Sequence, residues 1–219
     1  EDENSFVSNK KEKIITIDTK LAKIEMTSKG ARIRKYYLKE HNTWYYRSIE
    51  DTSNFYDRHV QLINPQDGGD FNLVFVTKQG EYVNTASVDF ESDLKHYQYK
   101  VNADDSLKIS YSYTNELNQS IRKIFTFYGD KYASKVDVEL ENMDDVISSY
   151  RYDVEWSNGI NFVEQNSEDE ANYANSSVYS ANEQIILDAT GDGEEELKEF
   201  NGKIDWVGVK NKYFAVIIS

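Results

Sequence analysis

The sequence predicts an all-β domain of antiparallel strands with little helix, and three observations carry that prediction. Between Leu107 and Leu140, three successive segments alternate apolar and polar residues with period two and are joined by short turns, which marks a β-meander with one wet face. Aromatic residues make up 14% of the chain, with seventeen Tyr among them, a bias that suits pleated surfaces. No apolar stripe of helical period runs for a useful length, and no internal repeat stands out.

Taken in order, residues 1–12 are polar and charged apart from Phe6 and Val7 and read as a flexible tether. From Lys13 the pattern begins. Ile15 and Ile17 alternate with Thr16 and Asp18, Leu21–Met26 follows, and Ile33–Leu38 resumes after Gly30, so two or three strands with turns at Asp18-Thr19-Lys20 and Ser28-Lys29-Gly30 are expected. Residues 41–70 read as loop, with the only Pro (Pro65) ahead of Asp67-Gly68-Gly69-Asp70 and a short strand near His59–Ile63. Phe71–Val76, Thr85–Phe90 and His96–Val101 read as strands. In the meander, Leu107, Ile109, Tyr111 and Tyr113 alternate, then Ile121 to Phe127, then Val136, Val138 and Leu140. Ile147–Trp156 is a further strand with a turn at Asn158-Gly159. Asn161–Ser177 is acidic and Asn-rich and reads as a long mobile loop. Val178–Ser180, Gln184–Leu187, Gly202–Val209 and Phe214–Ile218 complete the strands, with an acidic turn over Asp188–Glu196.

A chain of 219 residues with one Pro and ten Gly can bury a core without staples, and an all-β unit of this size is routine, so 13–219 reads as a single domain. The net charge of −14 disfavours a phosphate-binding surface, because nucleic-acid recognition needs clustered Lys and Arg. Such acidity keeps a domain off anionic lipid head groups. With no Cys, disulfides and thiolate metal sites are excluded. The longest apolar run, Phe214–Ile218, is far too short to span a bilayer. Glu1-Asp2-Glu3-Asn4 is the reverse of a basic, apolar leader, so residue 1 does not read as the natural start.

Candidate chemistry is sparse. His41, His59 and His96 form no ligand pair and neighbour no nucleophile motif, so neither a zinc site nor a triad is expected. Asp188-x-Thr190-x-Asp192-Gly193 followed by Glu199 has the spacing of a calcium loop, and Asp188, Asp192 and Glu199 could supply hard oxygen ligands. Its flanks lack amphipathic helices, and Asp-Gly is ordinary turn chemistry. The runs Asp104-Asp105, Asp144-Asp145 and Glu194-Glu195-Glu196 read as solvated surface, since glycosidase carboxylates must face each other across a cleft. No catalytic residue, cofactor or metal is assigned.

Several blocks resemble the large first periplasmic domain of the bacterial membrane protein insertase YidC. Ile15-Thr-Ile-Asp-Thr-Lys-Leu-Ala-Lys-Ile-Glu-Met-Thr-Ser-Lys-Gly-Ala-Arg-Ile33 resembles its opening strand pair, with Gly30 in a Ser-x-Gly-Gly turn whose second Gly is Ala31 here. Ser120-Ile-Arg-Lys-Ile-Phe-Thr-Phe-Tyr-Gly-Asp-Lys-Tyr132 and Val136–Asn142 resemble its central strands. Trp206-Val-Gly-Val-Lys-Asn-Lys-Tyr-Phe214 resembles its most recognisable motif, with Trp206, Gly208, Tyr213 and Phe214 as the structural markers. From alternation, Trp206–Phe214 reads as strand–turn–strand, with Trp206 and Phe214 anchoring core packing and Gly208 permitting a bulge or close backbone approach.

The resemblance implies a twisted antiparallel β-supersandwich similar to the galactose-mutarotase fold, on the periplasmic face of the inner membrane. It implies a transmembrane helix before residue 1 and further strands and a helix after Ser219, which makes the domain truncated as written. It implies a non-catalytic accessory role, contact with Sec components such as SecDF, and a cleft for extended polypeptide segments. The alternative is a carbohydrate-binding or mutarotase-like protein, which needs convergent His and carboxylates or exposed coplanar aromatics around a concave face.

Overall fold

The computed structural model describes residues 6, 10–49, 54–63, 70–157, 159–188 and 195–219. Strands account for 51% of the described residues and helix for 8%, so the all-β expectation holds. The chain opens with β1 (Ile14–Asp18), β2 (Ala22–Thr27) and β3 (Arg32–Asn42), followed by a single helical turn α1 (Phe55–Arg58) and β4 (His59–Gln61). Next come β5 (Asp70–Thr77), β6 (Tyr82–Asn84), β7 (Glu91–Ser92) and β8 (Gln98–Lys100). The meander is β9 (Ser106–Thr114), β10 (Ser120–Tyr128) and β11 (Ser134–Glu141), and β12 (Ile147–Ser157) follows it. The last stretch holds the short helix α2 (Ser167–Ala171), then β13 (Asn175–Ser180), β14 (Glu183–Leu187), β15 (Trp206–Lys210) and β16 (Ala215–Ile218).

These elements gather into two compact units, Glu1–His41 with Ile63–Asn158, and Asn42–Leu62 with Gly159–Ser219. In the first unit β3, β2, β1 and β8 lie side by side, β11-β10-β9-β7 form a second sheet, and β12-β5-β6 a third. The meander alternation works as a one-sided burial code. Ile121, Phe125 and Phe127 on β10 face inward beside Ile109 and Tyr111 on β9, and all five are nearly sealed from solvent. Phe125 and Phe127 stack at 6.2 Å, and Tyr111 meets Phe125 edge-on, the geometry that aromatic quadrupoles favour.

Four features depart from the sequence expectation. Thr85–Phe90 does not run as a strand: Thr85–Ser87 is a 3-10 turn, because the Asn84 side chain accepts the Ala86 amide at 2.8 Å and Ser87 Oγ donates to Asn84 O at 3.0 Å. The β8 strand pairs with β1 in parallel, with Thr16 opposite Gln98, whereas β2 pairs with the other edge of β1 antiparallel. On β12 the pairing with β5 slips between Ile147 and Tyr152, where Ser149 and Tyr150 both take φ 55°. Asn161–Ser177 holds α2 and the start of β13 in place of an irregular loop.

Fixed points also occur within 1–12. Phe6 is buried between the rings of Phe75 and Tyr113, each 5.6 Å away. The Lys10 amide donates to Asp89 at 2.8 Å, and Thr27 Oγ1 donates to Glu12 at 2.7 Å.

Candidate functional site

The second unit carries a sheet of order β14-β13-β15-β16. The Trp206–Phe214 stretch supplies β15 and the turn into β16, as its alternation implied. Trp206 is paired with Tyr179 across β13 and β15, and their rings stack at 5.8 Å and 5°. A Cβ on Gly208 would lie 3.0 Å from Val216 O and 3.1 Å from Ile217 Cγ1, so the residue sits where β16 comes close. Trp206 and Phe214 are only half-buried; the enclosed member of the motif is Asn211, 2% exposed.

Asn211 can be buried because both polar atoms of its side chain are satisfied. Its Oδ1 accepts the amides of Tyr213 at 2.9 Å and Phe214 at 2.8 Å, which forms the turn, and its Nδ2 donates to Asn161 O at 2.9 Å. The next residue, Lys212, reaches the same segment by charge. Its Nζ lies 2.7 Å from Asp169 Oδ2 and 3.2 Å from Glu164 Oε2, and over the rings of Tyr213 at 5.2 Å and Tyr173 at 5.6 Å. The hydrogen bond to Asp169, with those to Tyr213 and Glu164, holds its ammonium above the usual lysine range. The Tyr213 hydroxyl donates to Glu164 Oε1, which is the main reason its phenol is also raised.

Residues 159–174 thus form a strap fixed to the β15–β16 turn. A third polar group shapes the strap from within. Glu170, wholly buried on α2, accepts the Val163 amide at 2.6 Å and the Glu164 amide at 2.9 Å through Oε2. Among the described residues its Oε1 has no hydrogen-bond partner. The other end of the strap is tied at Asn161, whose amide donates to Leu62 O at 2.8 Å.

Between strap and sheet lies an open cleft of about 380 Å³. Ile160 and Phe162 of the strap line one side, and Ser176, Leu187 and Val209 bring in β13, β14 and β15. Glu196 and Lys210 add one charge of each sign. None of His41, His59 and His96 lines it. His41 is the penultimate residue of β3, His59 begins β4, and His96 is exposed ahead of β8.

Of the calcium candidates, Asp192 lies outside the described residues. The Asp188 amide donates to Glu196 Oε2 at 3.0 Å, and Glu199 is exposed. Among the described residues no group of three or more His, Cys, Asp or Glu could hold a metal ion.

Gly30 belongs to the first unit. It takes φ +77°, and a Cβ there would lie 3.0 Å from Ala86 Cα, so both the turn and the packing require glycine. Ala31, standing where the resemblance expects a second Gly, keeps the left-handed conformation at φ 47° and is fully buried. Gly30 O accepts from Lys123 Nζ at 2.7 Å. Lys123 is 0% exposed on the inward face of β10, and it also donates to Thr85 Oγ1 at 3.0 Å and Phe71 O at 3.3 Å and lies 5.4 Å from the Phe90 ring centre. Its parity with Ile121, Phe125 and Phe127 was the signal in the sequence that could have revealed it.

Fold and site together define an all-β domain with an open cleft on one sheet, walled by a strap that polar side chains fasten. The YidC periplasmic domain family model matches residues 14–218, and the chain belongs to that family. Its place is therefore the periplasmic face of the bacterial inner membrane. Proteins named membrane protein insertase YidC are similar to it: 29% identity over 94% of this chain and 34% of the relative from Chlorobium luteolum. The relative from Chlorobium phaeovibrioides is 26% identical over 96% of this chain and 34% of its own length, and that from Chlorobaculum parvum 28% over 93% and 33%. The chain spans about a third of the length of these relatives.

Proposed function

We propose that this chain is a non-catalytic interaction and positioning module of a YidC-type insertase, assisting the insertion and folding of inner-membrane proteins by holding an extended polypeptide segment in the cleft. The observation that carries this is the position of the cleft beside β14, which ends its sheet. An extended segment can add to that edge through main-chain hydrogen bonds while its apolar side chains rest against Phe162 and Leu187. A non-enzymatic role is supported by the lining, where among the described residues Glu196 is the one carboxylate and no imidazole joins it. Family membership supports a second part of the proposal, contact with Sec components such as SecDF.

A photo-crosslinking phenylalanine analogue at Phe162 is expected to capture extended segments of inner-membrane proteins during their synthesis, and purified SecDF periplasmic regions are expected to bind at micromolar concentration or tighter. Absence of both counts against the proposal. Suppression of the crosslink by oligosaccharides, with peptides ineffective, favours the carbohydrate-binding alternative.

A further inference from the structure

The strap is fastened by two kinds of contact that respond differently to the solvent. Asn161, Glu170 and Asn211 make short, part-buried hydrogen bonds, two of them from residues that are themselves buried, and salt screens these far less. Lys212 makes its contacts half in water, with side-chain exposure of 27% against 30% for Glu164 and 44% for Asp169. Partly exposed ion pairs weaken as the Debye length shrinks, and the chain's own charge of −14 draws competing cations to the surface. Ile160 and Phe162, which wall the cleft, lie close in the chain to Asn161 and Glu164, where the strap meets the turn. The turn continues directly from Val209 and Lys210, which line the cleft on its sheet side. Lys212 thus joins the two sides of the cleft, while Glu170 gives the strap a shape of its own.

We propose that Lys212 is the latch of a gated cleft: its contacts with Glu164, Asp169 and Tyr173 hold the strap closed on the β15–β16 turn, and their release lets the strap swing about its Asn161 tie and opens the cleft without unfolding either part. This regulates the same cleft proposed above as the segment site and rests on that reading for its purpose, though not for its mechanics. Competition for the two carboxylates and two ring faces is strongest from a primary ammonium. A lysine side chain in the incoming segment is therefore the chemistry that would release the latch.

The test is amide hydrogen exchange on the whole chain, read separately over 161–173 and over β13–β16. Lys212→Gln is expected to speed exchange of the strap on the order of tenfold while leaving the sheet unchanged, since local openings are independent of global unfolding. Wild-type protein in about 1 M NaCl, where screening acts within ~3 Å, is expected to move the same way. In Lys212→Ala, n-propylammonium is expected to restore strap protection, and sodium at equal ionic strength is not. Unchanged strap exchange in Lys212→Gln overturns the latch, as does equal loss of protection in strap and sheet, which would make Lys212 a fold staple. Should Phe162 crosslink nothing while the exchange results hold, the latch stands and the segment-binding reading falls. Crosslinking with no strap response leaves segment binding standing and overturns the latch.

Discussion

Two lysines show how differently the two units are held together. Lys123 sits at the centre of an apolar face, sealed from water, and its ammonium is met by the Gly30 and Phe71 carbonyls and the Thr85 hydroxyl. Lys212 lies at a turn, partly wet, and is met by two carboxylates and two tyrosine rings. The inward side chains of β10 are almost wholly buried, whereas every residue of β15, equally central in its own sheet, is half-buried or exposed. Where apolar burial is deep, an enclosed cation can act as a permanent pin that collects backbone acceptors from several segments. Where burial is shallow, polar contacts carry the geometry and remain open to competition from salt and ligands.

The largest loss is expected from Lys123→Met, on the first unit's side. It keeps most of the volume but takes the donor away from two carbonyls and a hydroxyl at once, and about 3 kcal/mol of stability is expected to go, measured by urea unfolding. If Lys123 is a sealed pin, that loss is the same at low and high salt. High pH tests the same depth of burial next. Burial raises the Tyr36 and Tyr111 phenols above their ordinary 10.0, with Tyr132 adding to the first and Asp93 to the second. Because the folded state holds these protons more tightly than the unfolded state, their contribution is complete below pH 10 and is lost as pH rises above it. The expected rate is about 1.4 kcal/mol per phenol per pH unit. Phenolate absorbance of these two groups should therefore emerge together with unfolding, not before it.

A smaller effect is expected at the Gly30 turn. Ala31→Val puts a β-branched residue at φ 47° in a sealed site and should cost about 2 kcal/mol in chemical denaturation, whereas Ala31→Gly should stay within about 1 kcal/mol because relief of strain offsets the lost methyl. A loss smaller than that of Ala31→Val is expected in the second unit. Asn211→Ala removes the acceptor for two amides and the donor to Asn161, at about 1.5 kcal/mol by thermal melting, and should loosen strap and turn together. That joint response separates it from Lys212→Gln, whose effect belongs to the strap alone.

Much of this was legible in the residues. The meander, the opening strand pair and the strand–turn–strand of Trp206–Phe214 follow from alternation and turn chemistry, and the matched blocks lie where the family model matches. Other parts were not. Thr85–Phe90 alternates acceptably as a strand, but Asn84 and Ser87 offered the backbone a local alternative. Asn161–Ser177 reads as polar loop because Glu170 looks like any acid in an acidic run, although it is the group around which the strap folds. The aromatic residues of the Trp206–Phe214 motif drew attention to packing, while its enclosed residue is an amide and its linking residue a lysine.

The all-β class, most strand positions, the glycine at position 30 and the family were already present in the order of the residues. These properties depend on dihedral preference and side-chain period, which act over a few neighbouring positions. The parallel pairing of β8 with β1, the burial of Lys123 and Glu170, and the meeting of Lys212 with Glu164 and Asp169 from more than forty residues away emerged only on folding. A polar side chain can leave water only where distant segments converge to satisfy it, and no local pattern records which segments those will be.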